Sequence, residues 1–305
     1  MTPLLLHPTN WKDYSLIDSG DGKKLERFGN FLFNRPEPQA LWSPRLSLKK
    51  WEKSSGTFLT SSNPLNEDGN GKWSISKNLP LRWEMEYENI KFFATPTPFR
   101  HLGFFPDQSP HWLWAANKIQ AALDYSDKPF SPKVLNLFGY SGLASLHAAF
   151  YGASVTHVDA SKKAINLAFQ NRNLSSFQDL PIKFITDDAI KFVKREIRRE
   201  NKYDAVILDP PKYGRGPNGE KWDFFNDLPI LLKLITQILT SKPIFIILNS
   251  YAIRSSHLTL HFALNETMKE FSGKVESGEL SVVEHQKNPR QINTAIFARW
   301  EQLAT

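Results

Sequence analysis

Residues 134–142 read Val134-Leu135-Asn136-Leu137-Phe138-Gly139-Tyr140-Ser141-Gly142. A short apolar run ends here in a turn with two glycines, and an apolar segment with helical spacing follows at 143–151. The pattern predicts a buried strand, a tight turn and a helix. Ligands of parallel sheets bind beyond the carboxyl ends of the strands, so this turn is the first candidate for a binding loop. Glycines that only close the turn would give the same pattern.

Alternating strand and helix patterns continue from this stretch toward the C-terminus, and one helix is predicted before it at 111–123. Strands are predicted at 134–138, 155–159, 182–186, 205–208, 244–248, 279–284 and 295–300. Helices are predicted at 143–151, 162–174, 189–200, 224–239 and 257–271. Such alternation is typical of a parallel sheet with helices on both faces. The predicted fold class is therefore α/β, with a doubly wound, mostly parallel seven-stranded sheet in a domain at 107–305.

Residues 1–106 have a different sequence pattern, with turn clusters and short strand-like stretches. Five of the nine Trp residues lie before residue 84, among turn clusters at 35–38 and 63–71. Stretches at 72–77, 81–87 and 90–95 alternate in polarity or are rich in aromatic and β-branched residues, which favours strands. The sequence predicts a small β-rich N-terminal domain over 1–106, with substrate recognition as its candidate role.

The composition excludes several classes of protein. The 305 residues include 38 Lys plus Arg and 31 Asp plus Glu, so the formal net charge of +7 is mildly basic. The chain has no cysteine, which excludes disulfides, thiolate metal sites and a cysteine nucleophile. No apolar run reaches the roughly 18 residues that a membrane helix needs, and the N-terminus lacks a signal-peptide pattern. A cytoplasmic protein is expected.

Carboxylates follow three consecutive predicted strands. Asp159 ends the second strand, 20 residues after Gly139, which is the spacing at which an acid binds the two hydroxyls of a ribose. Asp187-Asp188 follows the third strand and Asp209 follows the fourth. Helix capping or turn formation is the alternative role for each of them. Three in succession favour a binding site for a ligand that contains a nucleoside.

A nicotinamide dinucleotide is the second candidate ligand, because its fingerprint also has a glycine-rich turn and an acid about 20 residues later. A pyrophosphate requires G-x-G-x-x-G, whereas this loop has Gly139-x-x-Gly142 with Phe138 at the first glycine position. The loop therefore favours a nucleoside without a diphosphate, bound through its ribose, its base and a small amino-acid-like tail.

The run Asp209-Pro210-Pro211-Lys212-Tyr213 is the most specific feature. Two consecutive prolines fix the backbone and remove two N–H donors, so carbonyls and a carboxylate are presented as acceptors beside an aromatic ring. A planar substrate with an amino group fits this arrangement, and a strand-ending turn is the alternative. The glycine-rich segment 214–219 that follows suggests a lid or a loose loop.

With these motifs the sequence resembles class I S-adenosylmethionine-dependent methyltransferases, and among them the bacterial enzymes that methylate bases of large-subunit ribosomal RNA. The similarity covers about residues 100–300. It rests on the motifs Phe104-Phe105-Pro106-Asp107-Gln108, Val134 to Gly142, Val158-Asp159-Ala160-Ser161, Thr186-Asp187-Asp188-Ala189 and Leu208 to Gly216. This chain departs from the family at Asn136, where an acid is usual, and no RNA-binding PUA domain is recognisable in 1–106.

The resemblance implies S-adenosylmethionine as the cofactor and RNA as the partner. It implies that the loop from Phe138 to Gly142 holds the methionine part, Asp159 the ribose, and Asp188 with Ala189 the adenine. The cofactor residues that it implies are Gln108, Asn136, Phe138, Gly139, Tyr140, Ser141, Gly142, Asp159, Ala160, Ser161, Asp188, Ala189 and Asp209. The residues that it implies for catalysis, facing the target base, are Asp209, Pro210, Pro211, Lys212 and Tyr213.

The predicted function is methyl transfer from S-adenosylmethionine to a nucleic-acid base, with ribosomal or other RNA as the favoured substrate. Tyr213 would stack on an extruded base, while Asp209 and the Pro210 carbonyl accept hydrogen bonds from its amino group. Because the chain lacks the thiolate that methylation of cytosine carbon 5 ordinarily needs, the acceptor is predicted to be a base nitrogen. The alternatives are a methyltransferase of a protein or small molecule, a nicotinamide-dependent oxidoreductase and a non-catalytic RNA-binding protein.

Two further patterns have structural explanations. The predicted helix at 189–200 and the residues just after it carry a basic stripe, which consists of Lys191, Lys194, Arg195, Arg198, Arg199 and Lys202. We interpret the stripe as a solvated face in preference to a phosphate-binding patch. His257 and His261 share a helix face but lack a third ligand nearby, so no metal site is predicted.

Overall fold

The structure, a computed structural model, describes residues 2–60, 71–125, 130–251 and 253–303. The turn cluster predicted at 63–71 lies outside the described residues except for Gly71. The chain divides into two compact units. The larger unit comprises Met1–Leu6, Pro110–Leu280 and Ala295–Thr305, and the smaller comprises His7–Ser109 and Ser281–Thr294. The sequence analysis had placed residues 1–6 in the N-terminal domain and residues 281–294 in the domain at 107–305, which is the reverse of this division.

The strands, in chain order, are β1 Leu4–Leu6, β2 Tyr14–Gly20, β3 Lys23–Phe28, β4 Phe31–Pro36, β5 Gly56–Thr60, β6 Gly71–Ile75, β7 Trp83–Tyr87, β8 Ile90–Ala94, β9 Lys133–Leu137, β10 Ser154–Asp159, β11 Ile182–Thr186, β12 Ala205–Leu208, β13 Tyr213–Arg215, β14 Lys221–Asp223, β15 Phe245–Ser250, β16 Gly273–Val283 and β17 Gln291–Gln302. The helices are α1 Leu48–Trp51, α2 Ser109–Asp124, α3 Leu143–Phe150, α4 Lys162–Leu174, α5 Ala189–Arg198, α6 Phe224–Thr236 and α7 His257–Thr267. A single 3-10 turn spans Pro106–Gln108 among the described residues.

The sheet of the larger unit has the strand order β1-β16-β17-β15-β12-β9-β10-β11. Strands β11, β10, β9, β12 and β15 are parallel to their neighbours in that order, and β17 is antiparallel to β15. This confirms the predicted α/β fold with a mostly parallel sheet. The sequence pattern missed an eighth strand, β1, which pairs in parallel with β16 and places Leu4 opposite Gly278. A side chain at Gly278 would collide with the backbone of Leu4, so the pairing requires a glycine there.

Side chains alternate between the two faces of this sheet, and each face has its own core. On one face Leu135 and Leu137 of β9 belong to a buried cluster that α5, α6 and α7 cover. On the other face Val134 packs with residues of α2 and α3. The period of two along a strand explains this division, because successive residues point to opposite faces. Burial on both faces also explains why these strands are continuous apolar runs in the sequence.

The smaller unit contains a sheet of order β2-β3-β4-β5-β6 and a separate hairpin, β7-β8. Three of these strands, β6, β7 and β8, lie at the stretches that the sequence predicted, within two residues at each end. An aromatic core fills the unit and includes the stacked pair Phe33 and Trp83. It also holds buried charges, because Arg290 pairs with both Asp18 and Glu284 at 2.8 Å. Among the described residues of the whole chain, no helix is long and apolar enough to cross a membrane.

Candidate active site

The loop after β9 is a tight turn with unusual backbone geometry. Phe138 and Tyr140 have φ angles of +57° and +47°, and Gly142 has +84°. A Cβ at Gly139 would collide with the imidazole of His157, and one at Gly142 would lie 2.8 Å from the Cβ of Ala168. Both glycines are therefore required by packing within the protein. The sequence had left open whether they serve the turn or the approach of a ligand, and packing against His157 and Ala168 by itself requires a glycine at both positions.

Asp159, at the end of β10, fixes the position of this loop. Its carboxylate accepts hydrogen bonds from the backbone N–H of Tyr140 at 2.9 Å and of Ser161 at 2.8 Å. Burial raises the pKa of Asp159, and these two N–H donors oppose that rise. The helix after β10 is capped by Ser161, whose hydroxyl accepts from the N–H of Ala164. Asp159 is thus not a helix cap, and two of the about four lone-pair sites of its carboxylate are used by the loop.

The acidic pair after β11 has structural partners. Asp188 caps α5, because its Oδ1 accepts from the N–H of Lys191 at 2.9 Å. The Oδ2 of Asp187 forms an ion pair of 2.6 Å with Arg195, and its Oδ1 accepts from the N–H of Asp188. Ala189 is buried in the first turn of α5. Capping, the alternative considered for these carboxylates, is therefore present at Asp188, and a carboxylate has lone pairs enough to cap a helix and accept a second donor.

Asn136 lies inside the larger unit under the loop. Its Nδ2 donates to Ser145 Oγ at 2.9 Å, and Ser145 Oγ lies 2.9 Å from His157 Nδ1. Burial lowers the pKa of His157 to about 3, so its imidazole is neutral at pH 7. Asn136 of β9 therefore contacts Ser145 of α3, and Ser145 in turn contacts His157 of β10. Gln108 belongs to the smaller unit, where it ends the 3-10 turn.

The residues after β12 form the next part of this edge. Asp209 is half-buried, and its Oδ1 accepts a hydrogen bond of 3.2 Å from Asn249 Nδ2. Asn249 is buried near the carboxyl end of β15, the strand that pairs with β12. Sequence analysis did not single out Asn249, although the rule used for the other strands, that a polar residue after an apolar strand end faces the ligand edge, applies to it.

The two prolines are held by the hairpin that follows them. Pro211 accepts a hydrogen bond of 2.7 Å at its carbonyl from Trp222 Nε1, and the Lys212 carbonyl accepts from the N–H of Phe224 at 3.0 Å. The segment 214–219 is part of a two-stranded hairpin, because β13 and β14 pair in antiparallel fashion around its turn. Tyr213 begins β13 with its side chain 64% exposed.

These loops meet at one edge of the sheet because their strands are parallel and in register. Leu137 of β9 lies opposite Val158 of β10 and Leu208 of β12. The larger unit thereby collects the predicted residues 136, 138–142, 159–161, 188–189 and 209–213 at and beneath the carboxyl ends of β9 to β12. This edge carries the Asp159 carboxylate beside the tight loop, the Asp209 carboxylate oriented by the Asn249 amide, and the exposed phenol ring of Tyr213.

The two histidines of α7 have ordinary structural roles. His257 Nδ1 lies 2.9 Å from Ser277 Oγ, and His261 is buried. Within the ranges that the structure describes, no group of three or more His, Asp and Glu side chains is arranged to hold a metal ion.

Comparisons with known proteins agree with this architecture. A family model described as Conserved hypothetical protein 95 matches residues 120–219. The chain is 35% identical over 116 residues to the ribosomal RNA large subunit methyltransferase K/L of Shewanella frigidimarina, a match that covers 37% of this chain and 16% of that protein. The matches to the first curated relatives span between 16% and 29% of the length of those proteins.

Two solved structures match nearly the whole chain. A methyltransferase structure with S-adenosylhomocysteine, at 16% identity and a TM-score of 0.70, covers 96% of this chain and 76% of its own, which shows the shared fold. The SAM-dependent methyltransferase of Agrobacterium tumefaciens is 42% identical, with a TM-score of 0.91, over 99% of this chain and 95% of its own. Identity at that level over both full lengths extends beyond the fold to the family, and the chain belongs to the S-adenosylmethionine-dependent methyltransferases.

Proposed function

We propose that this methyltransferase modifies a base of RNA, with ribosomal RNA as the favoured substrate. The observation that carries the proposal is the turn from Asp209 to Tyr213, which presents an oriented carboxylate and an exposed aromatic ring on the edge that also holds Asp159. The similarity to a protein named as a ribosomal RNA large subunit methyltransferase supports RNA as the substrate class.

The residues around the first loop fit S-adenosylmethionine. Asp159 is held in place by two backbone N–H groups and retains lone pairs for the two ribose hydroxyls. The loop from Phe138 to Gly142 would hold the methionine part, and Asp188 with Ala189 the adenine. When bound, the cofactor supplies a sulfonium methyl group that a nucleophile can take by in-line displacement. The task of these residues is to bind and orient it, because alignment of the reactants supplies most of the rate.

The substrate side would bind a base that has left its stack. Tyr213 would stack on the base, while Asp209 and the Pro210 carbonyl accept hydrogen bonds from its amino group. The Pro211 carbonyl already accepts from Trp222, which leaves the Pro210 carbonyl as the backbone acceptor for this task. Asn249 would keep the Asp209 carboxylate turned in one direction.

The absence of cysteine limits the chemistry that the site can perform. Methylation of cytosine carbon 5 ordinarily begins with attack of a thiolate on carbon 6, and this chain has no thiol. We therefore propose a base nitrogen as the acceptor, since a lone pair placed beside the sulfonium needs no covalent activation.

The smaller unit, at 7–109 and 281–294, is proposed to take part in substrate recognition. The proposal includes a cytoplasmic location, which is the compartment expected from the cysteine-free sequence.

Methylation in vitro followed by separation of nucleosides tests the proposal. Purified protein, labelled S-adenosylmethionine and total RNA from cells that lack the gene should yield a nitrogen-methylated nucleoside, which should also be missing from RNA of those cells. Labelled 5-methylcytidine would contradict the acceptor atom. Label in protein or small molecules, binding of NADH, or RNA binding without transfer would each contradict the RNA methyltransferase function.

A further inference from the structure

A depression of about 220 Å³ lies on the larger unit at the edge of the sheet opposite the candidate active site. Lys133 begins β9 and Ser154 begins β10, so the depression is at the amino ends of these strands. Its lining contains four cationic side chains and one carboxylate, namely Lys133, Lys183, Arg199, Lys202 and Glu196. We call this feature the basic depression.

The basic stripe of α5 divides into two parts in the structure. Toward the start of the helix, Lys191 pairs with Glu220 and Arg195 pairs with Asp187, so these cations are neutralised within the protein. After the end of α5, Arg199, which pairs with Glu196 at 3.3 Å, and Lys202 line the basic depression, where Lys133 and Lys183 join them from the sheet. The first part of the stripe is therefore paired within the protein, whereas the second part is exposed beside the basic depression.

The carboxylate in the basic depression is directed inward. Glu196 is buried and accepts hydrogen bonds from the hydroxyl of Tyr203 at 2.8 Å and from Asn201 Nδ2 at 2.9 Å, with Arg199 at 3.3 Å. Lys133, Lys183, Arg199 and Lys202 are exposed. The solvent-exposed surface of the basic depression is thus mainly cationic. The buried Glu196 carboxylate beneath it holds the side chains that donate hydrogen bonds to it in place.

The acids nearest in the chain do not cancel this charge. Asp204 is buried, and its carboxylate accepts from the backbone N–H of Lys133 at 2.8 Å. Glu200 is exposed, follows Arg199 after the end of α5 and is not part of the lining.

We infer that the basic depression binds a phosphate group of the RNA backbone, in a contact separate from the one made by the target base. The inference rests on the proposed function. Cationic side chains that line one depression together with hydroxyl-bearing residues such as Ser154 can bind a phosphate without reading sequence. Strands of five residues separate the two edges of the sheet by about 15–20 Å, so a bound RNA must be long enough to reach both. The substrate is accordingly an RNA that extends from the target base to the opposite edge of the sheet, and not a single nucleoside.

Two double variants with equal loss of charge test this inference. Lys133→Gln/Lys183→Gln removes two cations from the basic depression, and Lys269→Gln/Lys274→Gln removes two exposed lysines of the larger unit that do not line it. The first should raise the Kd for a long transcript that the wild type methylates roughly tenfold at 0.1 M salt, and reduce the slope of log K against log salt by about 1 to 2. The second should change Kd less than twofold. Cofactor affinity, which does not involve the basic depression, should be unchanged in both.

The outcomes separate this inference from the proposed function. Equal losses in both double variants, or no loss in either, would overturn the basic depression as an RNA contact while leaving RNA methylation intact. A different outcome is that inorganic phosphate stabilises the wild type but not Lys133→Gln/Lys183→Gln, while both proteins bind RNA with the same affinity. That result would identify a site for free anions and would also overturn the basic depression as an RNA contact. A wild type that neither binds nor methylates the transcript overturns the proposed function and this inference with it.

Discussion

The indole Nε1 of Trp222 donates a hydrogen bond of 2.7 Å to the carbonyl oxygen of Pro211. The same indole packs against Phe138, with 4.9 Å between the ring centroids. One buried side chain thus contacts both the turn proposed to face the substrate and the loop proposed to hold the cofactor. Trp222 therefore positions these two segments relative to each other, although it lies outside every motif by which the sequence was interpreted.

Replacement of Trp222 by phenylalanine tests this positioning role. Trp222→Phe retains an aromatic ring against Phe138 but removes the hydrogen bond to Pro211, so we expect kcat to fall about five- to tenfold, the effect of a contact worth about 1 kcal/mol. The affinity for S-adenosylhomocysteine should change little. Trp114→Phe, on a helix that packs against Phe245, is the matched control and should leave kcat unchanged. An unaltered kcat in a folded Trp222→Phe protein would show that the hydrogen bond from Trp222 does not position the substrate turn.

Asp159→Asn should weaken binding of S-adenosylhomocysteine by about 1.5–3 kcal/mol, because the amide retains the shape but loses the charged acceptor for the ribose. Calorimetry on folded protein measures this. Ser256→Ala is the control, because it removes the cap of α7 and should cost about 1 kcal/mol of stability with little effect on affinity. Equal affinities for Asp159→Asn and the wild type would exclude Asp159 from the cofactor site.

Cofactor affinity should also depend on pH through Asp159. Burial raises the pKa of this carboxyl group, so it takes up a proton at higher pH than an exposed aspartate does. A protonated acid has less acceptor capacity, and we expect affinity to fall as the pH decreases, beginning above the ordinary aspartate range. Asp159→Asn should flatten this part of the profile. For folding the sign is reversed, since a raised pKa contributes stability at low pH that is lost as pH rises through it.

Tyr213→Ala should lower kcat/KM for RNA by about 1–3 kcal/mol of stacking free energy, roughly six- to 150-fold. The ring is 64% exposed, so the free energy of unfolding should change by less than about 0.5 kcal/mol. Tyr125→Ala removes another exposed tyrosine of the larger unit and should have no effect on transfer. Unchanged methylation of RNA by Tyr213→Ala would show that the ring does not contact the base.

His111 should make the protein sensitive to acid. Burial, with a smaller contribution from Arg299, lowers the pKa of His111 to about 3, whereas the unfolded chain binds the proton near pH 6.5. Its stabilising contribution is therefore complete above about pH 6.5 and is lost as the pH falls toward 3. His111→Phe should reduce the slope of unfolding free energy against pH by about 1.4 kcal/mol per unit between pH 6 and 4. Parallel denaturation curves for the two proteins would contradict this.

The sequence predicted the parallel sheet and the order of its candidate site segments. Both depend on local patterns: continuous apolar runs for strands buried on two faces, helical spacing between them, and polar residues where each strand stops. The helix at 162–174 and the strands at 182–186 and 205–208 have the predicted bounds for this reason. The roles of Asp159, Asp188 and Tyr213 as contacts of cofactor and base stay predictions.

Only the tertiary structure showed the contacts between segments that are distant in the chain. Asn249 reaches Asp209 because β15 pairs with β12, and Trp222 reaches Phe138 across the candidate site. The segment 281–294 belongs to the smaller unit although it follows 171 consecutive residues of the larger one. Local periodicity specifies which face of an element is buried but not which element covers it. That choice depends on strand order and on the fit of side chains in three dimensions, which no window of sequence contains.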